Sequence, residues 1–171
     1  VHKMNSLLPA PLLHHCQAIL SDTGRLPGID GGAKMSKSLG NTLQLSASEE
    51  TIHKAVSAMY TDPHHLNVSD PGQIEGNVVF TWLDAFHPDK TKVAAMKAHY
   101  QQGGLGDRTC KNELEACLQE LIAPMRERRA TYIQDKGMLM QILQQGSERA
   151  HEVTQTTLRE VKRGLGLPVL F

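Results

Sequence analysis

Apolar residues recur at three- and four-residue intervals from about residue 46 to the end of the chain, which is the spacing of helices with one buried face. The first predicted helix buries Ile52, Val56 and Met59. Ser46 and Glu49 form a capping box at its start, where the two side chains accept hydrogen bonds from otherwise unpaired backbone amides. The pattern therefore predicts a helical fold from this point onward.

Two further helices are predicted over 77–86 and 89–102. In the first of them, Trp82 and Phe86 are four residues apart, so their rings can pack together. Gly103 is expected to end the second helix, because glycine readily adopts the left-handed conformation found just beyond helix ends.

The last part of the chain predicts one long helix and two shorter ones. Thr109 is expected to cap the long helix, and Pro124 to kink or split it, because proline lacks the amide donor of a helix interior. Gly137 and Gly146 then bracket a short helical turn, and Ser147 is expected to cap the final helix.

Prolines and glycines are dense in residues 1–45, which predicts irregular structure around short apolar segments. The fold class is therefore mainly α, with a short irregular segment followed by a helical bundle. We place the domain boundary between 1–45 and 46–171.

Composition limits the kinds of partner and location. The chain has 18 basic and 18 acidic residues, whereas nucleic-acid-binding domains usually carry a basic excess, so any RNA contact must come from local clusters of charge. Three cysteines without a CxxC pair favour neither a disulfide framework nor a structural metal, and a reducing, cytoplasmic setting is expected. No apolar run is long enough to span a bilayer. A start at Val1 instead of Met indicates a piece of a longer chain.

The segment 31–41 carries the pattern most indicative of chemistry. Lys34 and Lys37 stand three residues apart between glycines, with Ser36 and Ser38 beside them. Glycines let a loop move and approach a ligand closely. Ammonium groups and hydroxyls suit a triphosphate, on which they would neutralise the charge of departing pyrophosphate. A solvated basic surface loop is the alternative on chemistry alone, and the spacing is not that of a Walker loop.

Residues 34–38, Lys-Met-Ser-Lys-Ser, match the KMSKS signature of class I aminoacyl-tRNA synthetases at all five positions. The flanks of this segment and several stretches of the helical part resemble the tryptophanyl-tRNA synthetase family, namely 26–31, 40–41, 59–63, 77–86 and 149–167. The resemblance covers nearly the whole chain.

The resemblance implies a fold, an activity and a set of roles. Residues 1–45 would be the end of a Rossmann-like catalytic domain, and 46–171 a helical anticodon-binding-type domain that binds tRNA. The activity would be that of a tryptophan–tRNA ligase, which activates tryptophan with ATP and Mg²⁺ and transfers it to tRNA(Trp). Lys34 and Lys37 would be the catalytic residues, with Lys37 contacting the departing phosphates most directly, and ATP would be bound by Lys34, Met35, Ser36, Lys37 and Ser38.

The resemblance also shows which parts of the family pattern this sequence lacks. No His-x-Gly-His signature occurs, and neither the amino-terminal half of the nucleotide-binding fold nor an amino-acid pocket is found. The chain alone is therefore expected not to form an aminoacyl-adenylate. The intact enzyme is expected to be a cytoplasmic homodimer.

Positive charge clusters in two stretches that the resemblance makes candidates for tRNA binding: Arg126, Arg128, Arg129 and Lys136, and Arg159, Lys162 and Arg163. Contacts of this kind to phosphates weaken as salt rises. The alternatives are that these side chains face water, or that the second cluster complements the dipole at a helix end. Two other functions also stay open, namely a tyrosine–tRNA ligase, and a non-catalytic RNA-binding or interaction domain with a degenerate loop.

Overall fold

The structure, a computed structural model, describes residues 1–32 and 34–169. In these residues it is mainly helical and contains no strand, which confirms the predicted fold class. Six helices follow one another, with a 3₁₀ turn at Lys37–Leu39 between the first two: α1 (His2–Asn5), α2 (Glu49–Ser57), α3 (Val78–Phe86), α4 (Lys90–Gln102), α5 (Asp107–Gln134) and α6 (Lys136–Gly164).

The chain divides into two compact units. The first, which we call the loop unit, consists of residues 20–130 and holds α2, α3, α4 and most of α5. The second, the terminal unit, consists of residues 1–19 together with the chain from residue 131 onward, and holds α1 and α6. The domain boundary predicted after residue 45 concerns function and stays a prediction.

The loop unit has one hydrophobic core, built from the apolar faces of α2, α3, α4 and α5. Ile52, Val56 and Met59 are buried in it, as their spacing predicts. The rings of Trp82 and Phe86 pack with their centroids 5.6 Å apart, which also confirms the predicted contact. Each large apolar side chain buried in this way contributes about 1.5–3 kcal/mol to folding.

Helix α2 lies antiparallel to α5 and is fastened to it by side chains of α5. Lys111 Nζ donates to the carbonyl of Ser57 at 2.8 Å, and Gln119 Nε2 donates to the carbonyl of Glu49 at 2.9 Å. Residues early in α5 therefore contact the end of α2, and residues later in α5 contact its start. This arrangement fixes the helix that directly follows the KMSKS segment.

The capping box predicted at Ser46 is wrong. Helix α2 begins at Glu49, and its N-cap is Ser48, whose Oγ accepts a hydrogen bond from the Thr51 amide at 3.1 Å. Ala47 is buried in the core, so the chain enters the helix two residues later than the capping pattern indicates.

The long helix is not split at Pro124, and its predicted start at Thr109 is wrong. Helix α5 begins at Asp107, so Thr109 lies inside it, and it runs unbroken through Pro124. Proline costs the helix one amide donor. Leu118 and Ile122 on the preceding turns are buried in the core, and their packing holds the helix in place on the amino-terminal side of that defect.

The prediction of two separate helices at the end of the chain is wrong as well. Gly137, Gly146 and Ser147 all lie inside the single helix α6 and do not separate two shorter ones. The N-cap is Asp135, whose Oδ1 accepts from the Met138 amide at 2.8 Å. A glycine in a helix interior costs about 1 kcal/mol relative to alanine, which a helix of 29 residues tolerates.

Candidate functional site

The KMSKS segment lies in the loop unit, between an irregular lead-in and α2. Its second half forms the 3₁₀ turn that begins at Lys37. Gly40 ends the turn with φ at 67°, a conformation that favours glycine, and its amide donates to the carbonyl of Lys37 at 3.2 Å. The turn therefore gives the segment a defined end.

The two lysines of the segment are available to an anion. Lys34 and Lys37 are both exposed, and neither ammonium group has a hydrogen bond or ion pair with a described residue. The hydroxyls of Ser36 and Ser38 lie 2.9 Å apart, so at least one of them can turn its hydrogen toward a ligand. The structure thus brings two cations and two hydroxyls together on five consecutive residues.

A cavity of about 590 Å³ lies beside this segment. Lys34 and Met35 line one part of it, and Arg25 and Phe86 line another. Met35 is half-buried and packs against the hydrophobic core. The cavity therefore offers an apolar wall suited to a flat ring and two cationic side chains suited to phosphates, in the size range of small-molecule sites.

The base of the loop is held by Asn41, whose side chain is buried. Its Oδ1 accepts from the Ser36 amide at 2.8 Å, and its Nδ2 donates to the carbonyl of Lys34 at 3.2 Å and to Asp30 Oδ1 at 3.0 Å. The carbonyl of Asn41 accepts from the Ile29 amide at 3.1 Å. We call these contacts the Asn41 network. The sequence indicated Asn41 only as part of a flank.

Two neighbours complete the Asn41 network. The Gly32 amide donates to Asp30 Oδ1 at 3.0 Å, and this bond, followed by the one from Asn41, holds the pKa of the Asp30 carboxyl below its ordinary value. Gly28 leaves room for Asn41, because a Cβ at that position would stand 2.1 Å from Asn41 Nδ2. The glycine ahead of the motif is the one sequence signal that could have pointed to this close approach.

The lead-in to the loop is fixed to the core by Trp82. Its indole Nε1 donates to the carbonyl of Pro27 at 3.2 Å, while the ring lies in the core. Helix α3 therefore holds the segment just before the Asn41 network.

The first predicted RNA-binding cluster contains residues with different roles. Arg126 donates from Nη1 to the carbonyl of Ala47 at 2.9 Å and from Nη2 to Glu49 Oε1 at 3.1 Å. These bonds hold the start of α2 against α5. Arg128 and Arg129 are exposed on the same helix.

The second cluster lies on α6 in the terminal unit. Arg159, Lys162 and Arg163 are spaced so that they share one face of this helix, near its end. Lys136 is the first residue of α6, so it belongs to a different unit from the arginines with which its sequence position grouped it.

Residues 1–32 and 34–169 contain neither a candidate metal site nor a candidate membrane-spanning helix. No group of three His, Cys, Asp or Glu side chains is arranged to hold a metal ion. No helix there has the length and apolar character needed to cross a membrane.

A family model and several similar curated proteins both indicate a tRNA synthetase. A family model for tRNA synthetases of class I (W and Y) matches residues 2–123. Similar curated proteins include the tryptophan–tRNA ligases of Streptococcus pyogenes serotype M3, Streptococcus agalactiae serotype V and Streptococcus mutans serotype c, each 52% identical over 146 residues. The match covers 84% of this chain and 43% of each relative, so the chain spans less than half of their length.

Solved structures show the same likeness. Two crystal structures of tryptophanyl-tRNA synthetase from Campylobacter jejuni are similar at TM-scores of 0.68 and 0.69, with 28% and 27% identity. They match 84% and 86% of this chain and 45% of their own, and the second is complexed with ADP and tryptophan. A tryptophanyl-tRNA synthetase from Giardia lamblia matches 61% of this chain and 27% of its own, with a TM-score of 0.56 and 26% identity.

Proposed function

Because the chain belongs to the class I tRNA synthetases for tryptophan and tyrosine, we propose that its full-length protein is a tryptophan–tRNA ligase. The ligase activates tryptophan with ATP and transfers it to tRNA(Trp). Relatives at 52% identity that carry this name favour tryptophan over tyrosine. Residues 1–45 supply the end of the catalytic domain with its ATP loop, and 46–171 supply the helical tRNA-binding domain.

The observation that carries the proposal is the complete KMSKS segment, whose Lys34 lines a cavity and whose two ammonium groups pair with no described residue. Attack of the tryptophan carboxylate on the α-phosphate of ATP breaks the bond to pyrophosphate, on which negative charge builds up. Lys37 stabilises that charge most directly, and Lys34 assists it. Such contacts strengthen where a closing loop excludes water.

The other residues of the segment bind the nucleotide. Met35 and Phe86 form the apolar wall for the adenosine, and the hydroxyls of Ser36 and Ser38 donate hydrogen bonds to it or to the phosphates. The Mg²⁺ that accompanies ATP is bound mainly through the phosphates, as is usual for this ion.

Binding of tRNA(Trp) falls to basic residues of α5 and α6, namely the exposed Arg128, Arg129, Lys136, Arg159 and Arg163 and the half-buried Lys162. Arg126 is a weaker candidate than the sequence indicated, because its guanidinium already binds Ala47 and Glu49. The full-length protein acts as a cytoplasmic homodimer, a part of the proposal that rests on the family resemblance.

The test is pyrophosphate exchange into ATP by the full-length protein, with tryptophan and tyrosine compared side by side. Tryptophan should support exchange, and Lys37→Ala should slow it about 100- to 1,000-fold, the typical effect of removing one group that stabilises transition-state charge. Lys54→Ala is the matched control, because Lys54 is an exposed lysine of the same unit that pairs only with Glu50.

Each other outcome has a defined meaning. Exchange with tyrosine alone would identify a tyrosine–tRNA ligase. Unchanged kinetics in Lys37→Ala would remove the role given to that residue. No exchange with either amino acid, together with tight and strongly salt-dependent tRNA binding, would favour a non-catalytic RNA-binding domain.

A further inference from the structure

Asn41 bonds to the backbone on both sides of Met35, although it lies outside the KMSKS segment. Its Nδ2 binds the carbonyl of Lys34, and its Oδ1 binds the amide of Ser36. The second bond closes residues 36–41 into a ring that contains Lys37. The directions in which both lysines leave the backbone therefore depend on one side chain.

The orientation of the Asn41 amide is determined by Asp30. A carboxylate only accepts hydrogen bonds, so the NH₂ group of Asn41 must face Asp30 Oδ1, and its oxygen is left to face the Ser36 amide. The Gly32 amide donates to the same oxygen of Asp30 and so helps to fix the carboxylate. An amide rotated by half a turn would lose these bonds, so the Asn41 network has one stable arrangement.

The position of Asn41 also depends on a close backbone approach. At Gly28 a Cβ would stand 2.1 Å from Asn41 Nδ2 and 2.6 Å from its Cγ, both far inside contact distance. Since those atoms are buried, Asn41 has little room to move away. A substitution at Gly28 therefore disturbs the Asn41 network without changing any of its polar groups.

We infer that Asn41 is a positioning residue for ATP, which holds the KMSKS segment in the conformation that its lysines need to meet the phosphates. The inference rests on the proposed function, since it concerns the same loop. Asn41 itself does not contact ATP. It reduces the number of conformations that the loop must give up when ATP binds, and preorganisation of this kind improves binding.

The main test is the kinetics of pyrophosphate exchange by the full-length Asn41→Ala protein at varied ATP concentration. We expect the KM for ATP to rise about 10-fold or more, because ATP must then order the loop itself. For comparison, the misplacement of a reacting group can lower a reaction rate by up to about 100-fold. The KM for tryptophan should stay within about twofold. Simple loss of folded enzyme would lower kcat and leave both KM values unchanged.

Three further variants sharpen the test. Gly28→Ala should reproduce the rise in the KM for ATP, and should add little when combined with Asn41→Ala, because both disrupt the same contacts. Asn41→Asp sets a second carboxylate against Asp30, and adding Asp30→Asn should recover part of the loss by restoring a donor and an acceptor. Asn112→Ala, an exposed asparagine on α5, is the control and should behave as wild type.

A second measurement separates this inference from the proposed function. Amide hydrogen exchange at Ser36 should become about 10-fold faster in Asn41→Ala, since its acceptor is gone. A wild-type protein without tryptophan-dependent exchange rejects the proposed function. Unchanged protection of Ser36, or a KM for ATP within twofold of wild type in Asn41→Ala, overturns the role of Asn41. If Gly28→Ala does not fold, the paired substitutions at positions 30 and 41 decide.

Discussion

The loop unit and the terminal unit contain similar helices but bury them very differently. In the loop unit, α2, α3, α4 and α5 all contribute residues to one core. In the terminal unit none of the described residues is buried, although α6 has apolar residues at helical spacing. Leu143 and Val153 on that helix are 62% and 63% exposed. Helical periodicity therefore shows that a helix has an apolar face, but not that this chain covers it.

The largest difference in stability is expected between a buried leucine of the loop unit and an exposed leucine of the terminal unit. Leu114→Ala in the loop unit should lower the free energy of unfolding by about 2–5 kcal/mol, because it removes a fully buried side chain and leaves a cavity. Leu143→Ala in the terminal unit should change it by less than about 0.5 kcal/mol. Chemical denaturation of this 171-residue chain measures both. Equal losses in the two variants would show that Leu143 is packed and the contrast is wrong.

A smaller difference in the free energy of unfolding is expected between the alanine variants of two arginines. Arg126→Ala should cost the loop unit about 1 kcal/mol, because it breaks the bonds to Ala47 and Glu49 and leaves the Ala47 carbonyl without this donor. Arg159→Ala, on the exposed surface of α6, should leave stability within about 0.5 kcal/mol of wild type.

The same two variants separate a structural role from an RNA contact. In the full-length protein, Arg159→Ala should weaken tRNA binding and reduce the slope of its salt dependence by about one unit. Arg126→Ala should leave that slope unchanged. The opposite pattern would return Arg126 to the RNA-binding surface and remove Arg159 from it.

The smallest effect on the free energy of unfolding is expected when the pH is lowered. Bonds from Lys92 and then from His87 Nε2 hold the pKa of Glu113 below its ordinary value. The unfolded chain therefore binds this proton more readily than the folded one, so the contribution of Glu113 is present above the unfolded pKa of about 4.3 and is lost as pH falls below it. Glu113→Gln should cost about 1 kcal/mol or less at pH 7, and progressively less as pH falls toward about 3.

Denaturation curves of wild type and Glu113→Gln, measured between these pH values, give the gap between the two proteins in the free energy of unfolding. A gap that stays constant or widens in acid would contradict the linkage between Glu113 and folding. The pKa values of the Asp30 and Asp62 carboxyls in the loop unit are also lowered, mainly by hydrogen bonds from backbone amides, so acid should weaken this unit at those positions too.

Much of the loop unit could be predicted from the sequence, because its helices bury the faces that their spacing marks. Ile52 and Val56 are examples, whereas Met59 is buried just beyond the end of α2. The capping errors have a physical origin, since Ser46 and Ser48 both fit cap patterns and only the burial of Ala47 between them decides. Local rules about glycine failed in α6 because a long helix tolerates isolated defects.

The candidate site was predictable in part. Lys34 and Lys37 are found from a local motif, because five consecutive residues carry the chemistry. The role of Asn41 is not, because its partners Asp30 and Gly28 lie 11 and 13 residues earlier in the chain and meet it only in the folded loop. The same holds for Arg126, whose partner Ala47 is 79 residues away.

The most direct test of the central claim is chemical acetylation of lysines in the full-length protein, with and without saturating Mg²⁺–ATP, followed by mass spectrometry. Lys34 and Lys37 are exposed and their ammonium groups pair with no described residue, so both should react readily and become strongly protected when ATP is present. Lys3 and Lys54, which are exposed elsewhere, serve as internal controls and should not change. Equal labelling of Lys34 and Lys37 with and without ATP would contradict the account.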